Sequence, residues 1–215
     1  MDEQLVKAGK FIRQWMAEHP GFKDLAEMYS DRNIGDRVYL SKALMGIEPW
    51  KYMSFIPDWA FYGCDELTNV DIPNNVTLIG DRAFTRCKNL ERITLGEGVV
   101  SIKSEAFRDC KKLKKIIIPD GVSVLRYGPF TGCESLTDVT LRTGIRYLGE
   151  YIFYGCEELS NIKYKGTMNQ FNDIKKDDDW HQLRKPLGPG AFIYIKTVQC
   201  SDGTIKYDKD GKVIV

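Results

Sequence analysis

Ile79-Gly80-Asp81-Arg82-Ala83-Phe84-Thr85-Arg86-Cys87, continued by Lys88-Asn89-Leu90-Glu91-Arg92-Ile93-Thr94-Leu95, is one unit of a pattern that fills the middle of the chain. Its cysteine is one of five, Cys64, Cys87, Cys110, Cys133 and Cys156, each 23 residues from the next. Three residues before each stands Phe61, Phe84, Phe107, Phe130 or Phe153, and three after it Leu67, Leu90, Leu113, Leu136 or Leu159. An aliphatic residue five places ahead of each phenylalanine, Ile56, Ile79, Ile102, Leu125 or Leu148, completes the set. A fixed period of about 20 to 50 residues marks a solenoid, because one unit cannot bury its apolar face alone and a stack of units can.

Working outward from that unit, the leucine is followed by a short alternating run: Val70-Asp71-Ile72, Ile93-Thr94-Leu95, Ile116-Ile117-Ile118, Val139-Thr140-Leu141 and Ile162-Lys163-Tyr164. Period two is strand periodicity, so each unit is expected to give one short strand with aliphatics inward, and equivalent strands to stack as a parallel ladder. Pro73-Asn74-Asn75, Gly96-Glu97-Gly98, Pro119-Asp120-Gly121 and Thr143-Gly144 follow the strands with turn chemistry. The Ala-Phe-x-x-Cys portion is too short for a full helix, and a single helical or 3₁₀ turn on the outer side is expected.

These residues resemble the BspA-type, or Treponema-type, leucine-rich repeats, whose unit reads roughly Ile-Gly-x-x-Ala-Phe-x-x-Cys-x-x-Leu-x-x-Ile-x-Ile-Pro. Residues 79–87 match that unit almost position for position, and five units agree. Tyr164-Lys165-Gly166-Thr167 and Cys200-Ser201-Asp202-Gly203 resemble the way such arrays finish. The resemblance implies a leucine-rich repeat solenoid and, because many members are surface proteins that bind host proteins, binding rather than chemistry.

Residues 1–52 share none of the pattern. Leu5, Ala8, Phe11-Ile12 and Trp15-Met16 recur at helical spacing, and further helices are expected over Phe22–Tyr29 and from Asp36 to Gly46. The expected organisation is therefore a helical N-terminal cap over 1–52, five repeats over 53–167, and a C-terminal cap over 168–215. Within that last part, Asn169 to Ile174 reads as a short helix, Lys175 to Asp179 as a solvated loop, and Phe192 to Val198 as a strand. Turns at Ser201-Asp202-Gly203 and Asp208-Lys209-Asp210-Gly211 divide a small β-hairpin. Trp59 sits in a column otherwise holding Arg82, Glu105, Gly128 and Tyr151, and is expected to pack on the N-terminal cap.

Composition narrows the function. With 215 residues, 43% hydrophobic, the chain can bury an elongated core without metal or disulfide. A net charge of +1 supplies no field for nucleic acid or an anionic membrane. No run approaches 18 apolar residues, and Met1-Asp2-Glu3-Gln4 lacks the regions of a secretory leader, so a cytoplasmic location without membrane insertion is expected. Successive turns lie about 4.8 Å apart, a distance that does not forbid disulfides, but equivalent side chains point the same way; buried free thiols are expected.

Candidate chemistry is thin. His19 and His181 lie far apart, with no partner at metal-ligand spacing, and read as surface or capping residues. Gly96-Glu97-Gly98 lacks the third glycine of a phosphate loop, and Asp208-Lys209-Asp210-Gly211 has no glutamate at the twelfth position of a calcium loop. Lys111, Lys112, Lys114 and Lys115, with Arg108 and Lys103, form the densest basic patch but lack an aromatic platform for nucleic acid. No cofactor or catalytic residue is indicated.

What remains is the outward side of the strands: Asn69, Arg92, Lys115, Asp138 and Asn161 in one column, Asp71, Thr94, Ile117, Thr140 and Lys163 in the next. Mixed polar groups on a rigid ladder, with one aliphatic among them, suit a protein-binding surface. The reading is a non-catalytic scaffold that binds a protein partner, such as an intracellular adaptor or inhibitor. A cell-surface or host-binding fragment is the alternative, and an enzyme with its site between cap and repeats is a third.

Overall fold

The computed structural model describes residues 54–184, 193–208 and 210–214. Each 23-residue unit makes one turn of a coil carrying two strands rather than the single one expected. The first turn gives β1 (Phe55–Ile56) and β2 (Asn69–Ile72), and the second β3 (Leu78–Ile79) and β4 (Arg92–Leu95). The third gives β5 (Ser101–Ile102) and β6 (Lys115–Ile118), and the fourth β7 (Val124–Leu125) and β8 (Asp138–Leu141). The fifth gives β9 (Tyr147–Leu148) and β10 (Asn161–Tyr164).

Four of the five four-residue strands alternate exposed and buried, as period two requires, and β8 does so but for Thr140; all pair in parallel at the same position of each turn. The two-residue strands form a second parallel sheet, in which the aliphatic column ahead of the phenylalanines faces the core. Between the sheets lies a core of repeated columns. The five phenylalanines stack with centroids 5.1–5.9 Å apart, their planes within 15° of parallel. The cysteines are all buried and unbonded to one another. From Cys87 onward each thiol donates to the carbonyl of the phenylalanine one turn back, at 3.0–3.2 Å.

The Ala-Phe-x-x-Cys segment is not the helical or 3₁₀ turn expected. In each of the first four turns, three alternate N–H groups leave the turn and donate to the next one: Trp59, Phe61 and Gly63 to the carbonyls of Asp81, Ala83 and Thr85, and so on down the stack. Two left-handed residues per turn aim those groups. One column holds Trp59, Arg82, Glu105, Gly128 and Tyr151 at φ between 49° and 62°, the other Gly63, Arg86, Asp109, Gly132 and Gly155 at φ between 57° and 80°. A helical turn would direct its N–H groups along its own axis and leave this third ladder unmade.

Turn glycines are needed for a different reason. A Cβ on Gly98 would lie 1.9 Å from the Asn74 carbonyl oxygen, and one on Gly144 1.7 Å from that of Asp120. Neighbouring turns touch there through backbone alone.

Beyond the fifth turn, α1 (Met168–Asn172) begins at a capping box in which Thr167 and Gln170 bond reciprocally. Lys175–Lys176, expected as solvated loop, instead forms β11, which pairs with β9 and lengthens the second sheet. Then follow β12 (Gln182–Arg184), β13 (Ile193–Tyr194), β14 (Thr197–Gln199) and β15 (Thr204–Lys206). The single strand expected from Phe192 to Val198 is thus divided between β13 and β14. β14 adds to β10 in parallel and turns back as β15, so the first sheet runs β15-β14-β10-β8-β6-β4-β2. The expected helical cap over 1–52 lies outside the described residues. Trp59 is covered on one side by Tyr62, at 5.1 Å, and by the Arg82 guanidinium 4.9 Å from its ring.

Candidate binding face on the seven-stranded sheet

The period-two rule that buries Val70, Ile93, Ile116, Val139 and Ile162 turns the intervening residues outward, and parallel register stacks them. Asn69, Arg92 and Lys115 are ladder partners in sequence, and Lys115 pairs in turn with Asp138. Asn161 continues that row and is extended by Thr197, whose hydroxyl donates to its Oδ1 at 2.6 Å. In the second row Asp71 pairs with Thr94, and Ile117 and Lys163 flank Thr140. All ten candidate residues therefore stand on one sheet. Thr197 and Gln199 also belong to the face; their strand was visible in the sequence, but its place beside β10 depends on a chain reversal that no repeat motif announces.

Thr140 departs from expectation: only 9% of it is exposed. A small side chain set in register between Ile117 and Lys163 is overhung by both.

Arg92 is not a free anchor. Its guanidinium grips Asp71 through two nitrogens, at 2.7 and 3.2 Å, and donates to the Thr94 hydroxyl at 2.9 Å. The Arg92 guanidinium and the Thr94 hydroxyl hold the Asp71 carboxyl below its ordinary range, and the carboxylate raises Arg92 in turn. A second arginine, Arg142, comes from the position after β8. It reaches two turns back to Glu97 at 2.7 Å, passing Asp120 at 3.7 Å. Arg142 was not singled out in the sequence and Glu97 was read only as part of a turn, because nothing in the repeat spacing signals a contact 45 residues long.

Between these pairs the face is hollowed. The hollow, about 260 Å³, is lined by Arg92, Thr94, Lys115 and Ile117, with Glu97, Pro119 and Arg142 at its rim. Ile117 is 38% exposed there. Lys115 has no ion-pair or hydrogen-bond partner for its ammonium among the described residues.

Half of the basic patch of the sequence is neutralised by this chain's own acids. Lys111 pairs with Glu134 at 2.6 Å, Lys114 with Glu91 at 3.4 Å, and Arg108 with the buried Glu105 at 2.9 Å, which also takes Arg82 at 2.6 Å. His181, expected at the surface or in a cap, is 7% exposed. It stacks between Trp180 and Tyr194, and its Nε2 donates to the Gly211 carbonyl at 3.0 Å. Burial lowers its pKa. Among the described residues no group of three or more His, Cys, Asp or Glu is arranged to hold a metal ion, and no helix is long and apolar enough to cross a membrane.

Two parallel ladders wound about columns of phenylalanine, cysteine and leucine define a leucine-rich β-solenoid with one open polar strand face. The chain belongs to the BspA-type leucine rich repeat family: the model of the BspA type Leucine rich repeat region matches residues 54–174 in six copies, one more than the cysteine-bearing units counted. It is similar to the crystal structure of a leucine rich cell surface protein from Faecalibacterium prausnitzii A2-165, with 31% identity and a TM-score of 0.55, covering 59% of this chain and 34% of that one. It is also similar to the leucine rich repeat protein of T. pallidum, with 35% identity and a TM-score of 0.50, covering 52% of each chain. The matched part is thus about a third of the first protein and about half of the second. No curated protein matches the chain.

Proposed function

We propose that this chain is a non-catalytic scaffold that binds a protein partner through the seven-stranded sheet, using Asn69, Asp71, Arg92, Thr94, Lys115, Ile117, Asp138, Asn161 and Lys163, with Thr140 as floor between its neighbours. The observation that carries the reading is the exposed Ile117 in an otherwise polar row, beside a hollow and between two arginines already locked by Asp71 and Glu97. An exposed aliphatic among pre-positioned charges is what an interface anchor requires, since little ordering is left to do on binding. A buried row of reduced thiols suits a reducing compartment and so an intracellular adaptor or inhibitor. A cell-surface role is the second reading, favoured by likeness to a leucine rich cell surface protein.

Affinity capture from the native host with mass spectrometry, run beside the Arg92→Glu/Ile117→Asp double variant, tests the proposal. The wild type should retain a partner that the double variant loses, each change weakening binding by about 1–2 kcal/mol. A partner captured equally by both would refute use of this face.

A further inference from the structure

We propose that the opening between β4 and β6 is the anchor point of the face and receives an aliphatic side chain followed by a carboxylate, both from an extended acidic segment of a protein partner. The inference rests on the face-binding reading above.

The opening is a break in an otherwise regular ladder. β2 and β4 are in register over four positions, as are β6 and β8, whereas β4 and β6 share only Arg92 with Lys115. Past that point the hollow reaches down to Ile93 and Leu95. Leu95, at 8%, is the least covered aliphatic of the core. Ile93, Leu95 and Pro119 are themselves buried, so the aliphatic that meets solvent in the middle of this polar face is Ile117, at 38%. An aliphatic side chain laid against Ile117 in the hollow removes from water the apolar surface that the fold leaves exposed there.

Charge selects what accompanies the side chain. Three cations border the hollow, and two of them are held by this chain's own acids, Arg92 by Asp71 and Arg142 by Glu97. Those pairs fix the rim. The Lys115 ammonium has no such acid, and its ladder neighbours are Arg92 on one side and Asp138 on the other. Asp138 takes the Thr137 hydroxyl at 2.9 Å instead. A carboxylate arriving beside Ile117 would meet Lys115, the cation of the hollow that has no acidic partner among the described residues. No aromatic ring lines the hollow on which a nucleic-acid base could stack, so an acidic peptide fits better than a polynucleotide.

The test is amide NMR of the full chain at low salt, titrated with the peptide acetyl-Gly-Gly-Leu-Asp-Gly-Gly-amide and with two relatives in which Gly replaces the leucine or Asn the aspartate. Saturable shifts are expected at the amides of 92–95 and 115–118, with binding weakened about fivefold by either peptide change. Lys115→Gln should abolish the preference for Asp over Asn while leaving the preference for Leu, and Ile117→Ser should do the reverse. Both side chains are exposed, and an unchanged unfolding midpoint verifies that each variant folds. Equal binding of the three peptides, retention of the Asp preference by Lys115→Gln, or shifts absent from these two strands would overturn the anchor. The face reading falls separately, if the double variant above keeps its captured partner.

Discussion

Arg86 carries a backbone cost that its side chain does little to offset. Its φ of 62° is left-handed, and among the described residues its side chain has one loose ion pair, with Asp109 at 3.9 Å, and a place 5.7 Å over the Tyr62 ring; Gly63, Gly132 and Gly155 fill the same column elsewhere. A non-glycine residue held there costs on the order of 1 kcal/mol. Arg86→Gly should therefore stabilise the protein by about 0.5–1 kcal/mol, part of the gain being returned through the freer unfolded chain, and thermal unfolding reads the difference. Phe107 sits at the centre of the ring stack with no exposure, and Phe107→Ala should cost about 3–5 kcal/mol in a denaturant titration through the cavity it leaves. The Asp71 carboxyl, depressed in the folded state, contributes stability above its unfolded pKa and loses it as pH falls through the folded value. Because both partners are largely exposed, that contribution is screened to less than about 1 kcal/mol. Side-chain NMR should show the carboxyl moving up toward its ordinary range in Arg92→Gln. The phenylalanine, cysteine and leucine columns were legible because the core asks the same residue of every turn. The left-handed columns were not, since Trp, Arg, Glu and Tyr stand where glycine would have signalled them.

Each element here is stabilised by its counterpart one turn away more than by its own sequence. Two-residue strands such as β3 and β5 contribute only one inward aliphatic apiece, too little pattern to be read as strands from the sequence, yet stacked they make a sheet. The four-residue strands have a full alternation and were readable for that reason. The same stacking closes the cysteine column. Burial pushes the Cys110, Cys133 and Cys156 thiols up, away from the reactive thiolate, and their hydrogens are spent on phenylalanine carbonyls. Thiol labelling of the folded protein should accordingly be slow at all five repeat cysteines and rapid in denaturant, and fast labelling of most of them while folded would contradict the column as drawn. At α1, Thr167→Ala removes the cap hydroxyl that accepts from the Gln170 amide at 3.2 Å, and should cost about 1 kcal/mol by the same denaturant titration.

At the scale of the whole molecule, a stack has two ends, and each needs cover. The residues of the first turn, Ile56, Phe61 and Cys64 among them, are as buried as those of the third. Deleting residues 1–52, which we propose as that cover, should lower the unfolding midpoint and produce aggregation, and a monomer of unchanged midpoint would make the segment an independent appendage. The other end follows from the outer ladder of N–H groups. Those groups all point the same way, from each turn toward the next, so their peptide dipoles add along the stack instead of cancelling as they do between ordinary strands. The column is polarised like a helix laid on its side, negative at the first turn and positive past the fifth. The Gly155 N–H, one of the last donors, closes on the Leu183 carbonyl, and the run Asp177-Asp178-Asp179 follows the same end, its Asp177 carboxylate accepting the Tyr147 hydroxyl at 2.6 Å. The acidic run that reads as solvated charge in the sequence thus follows the N–H end of that ladder, the end at which an aligned set of peptide dipoles favours anions.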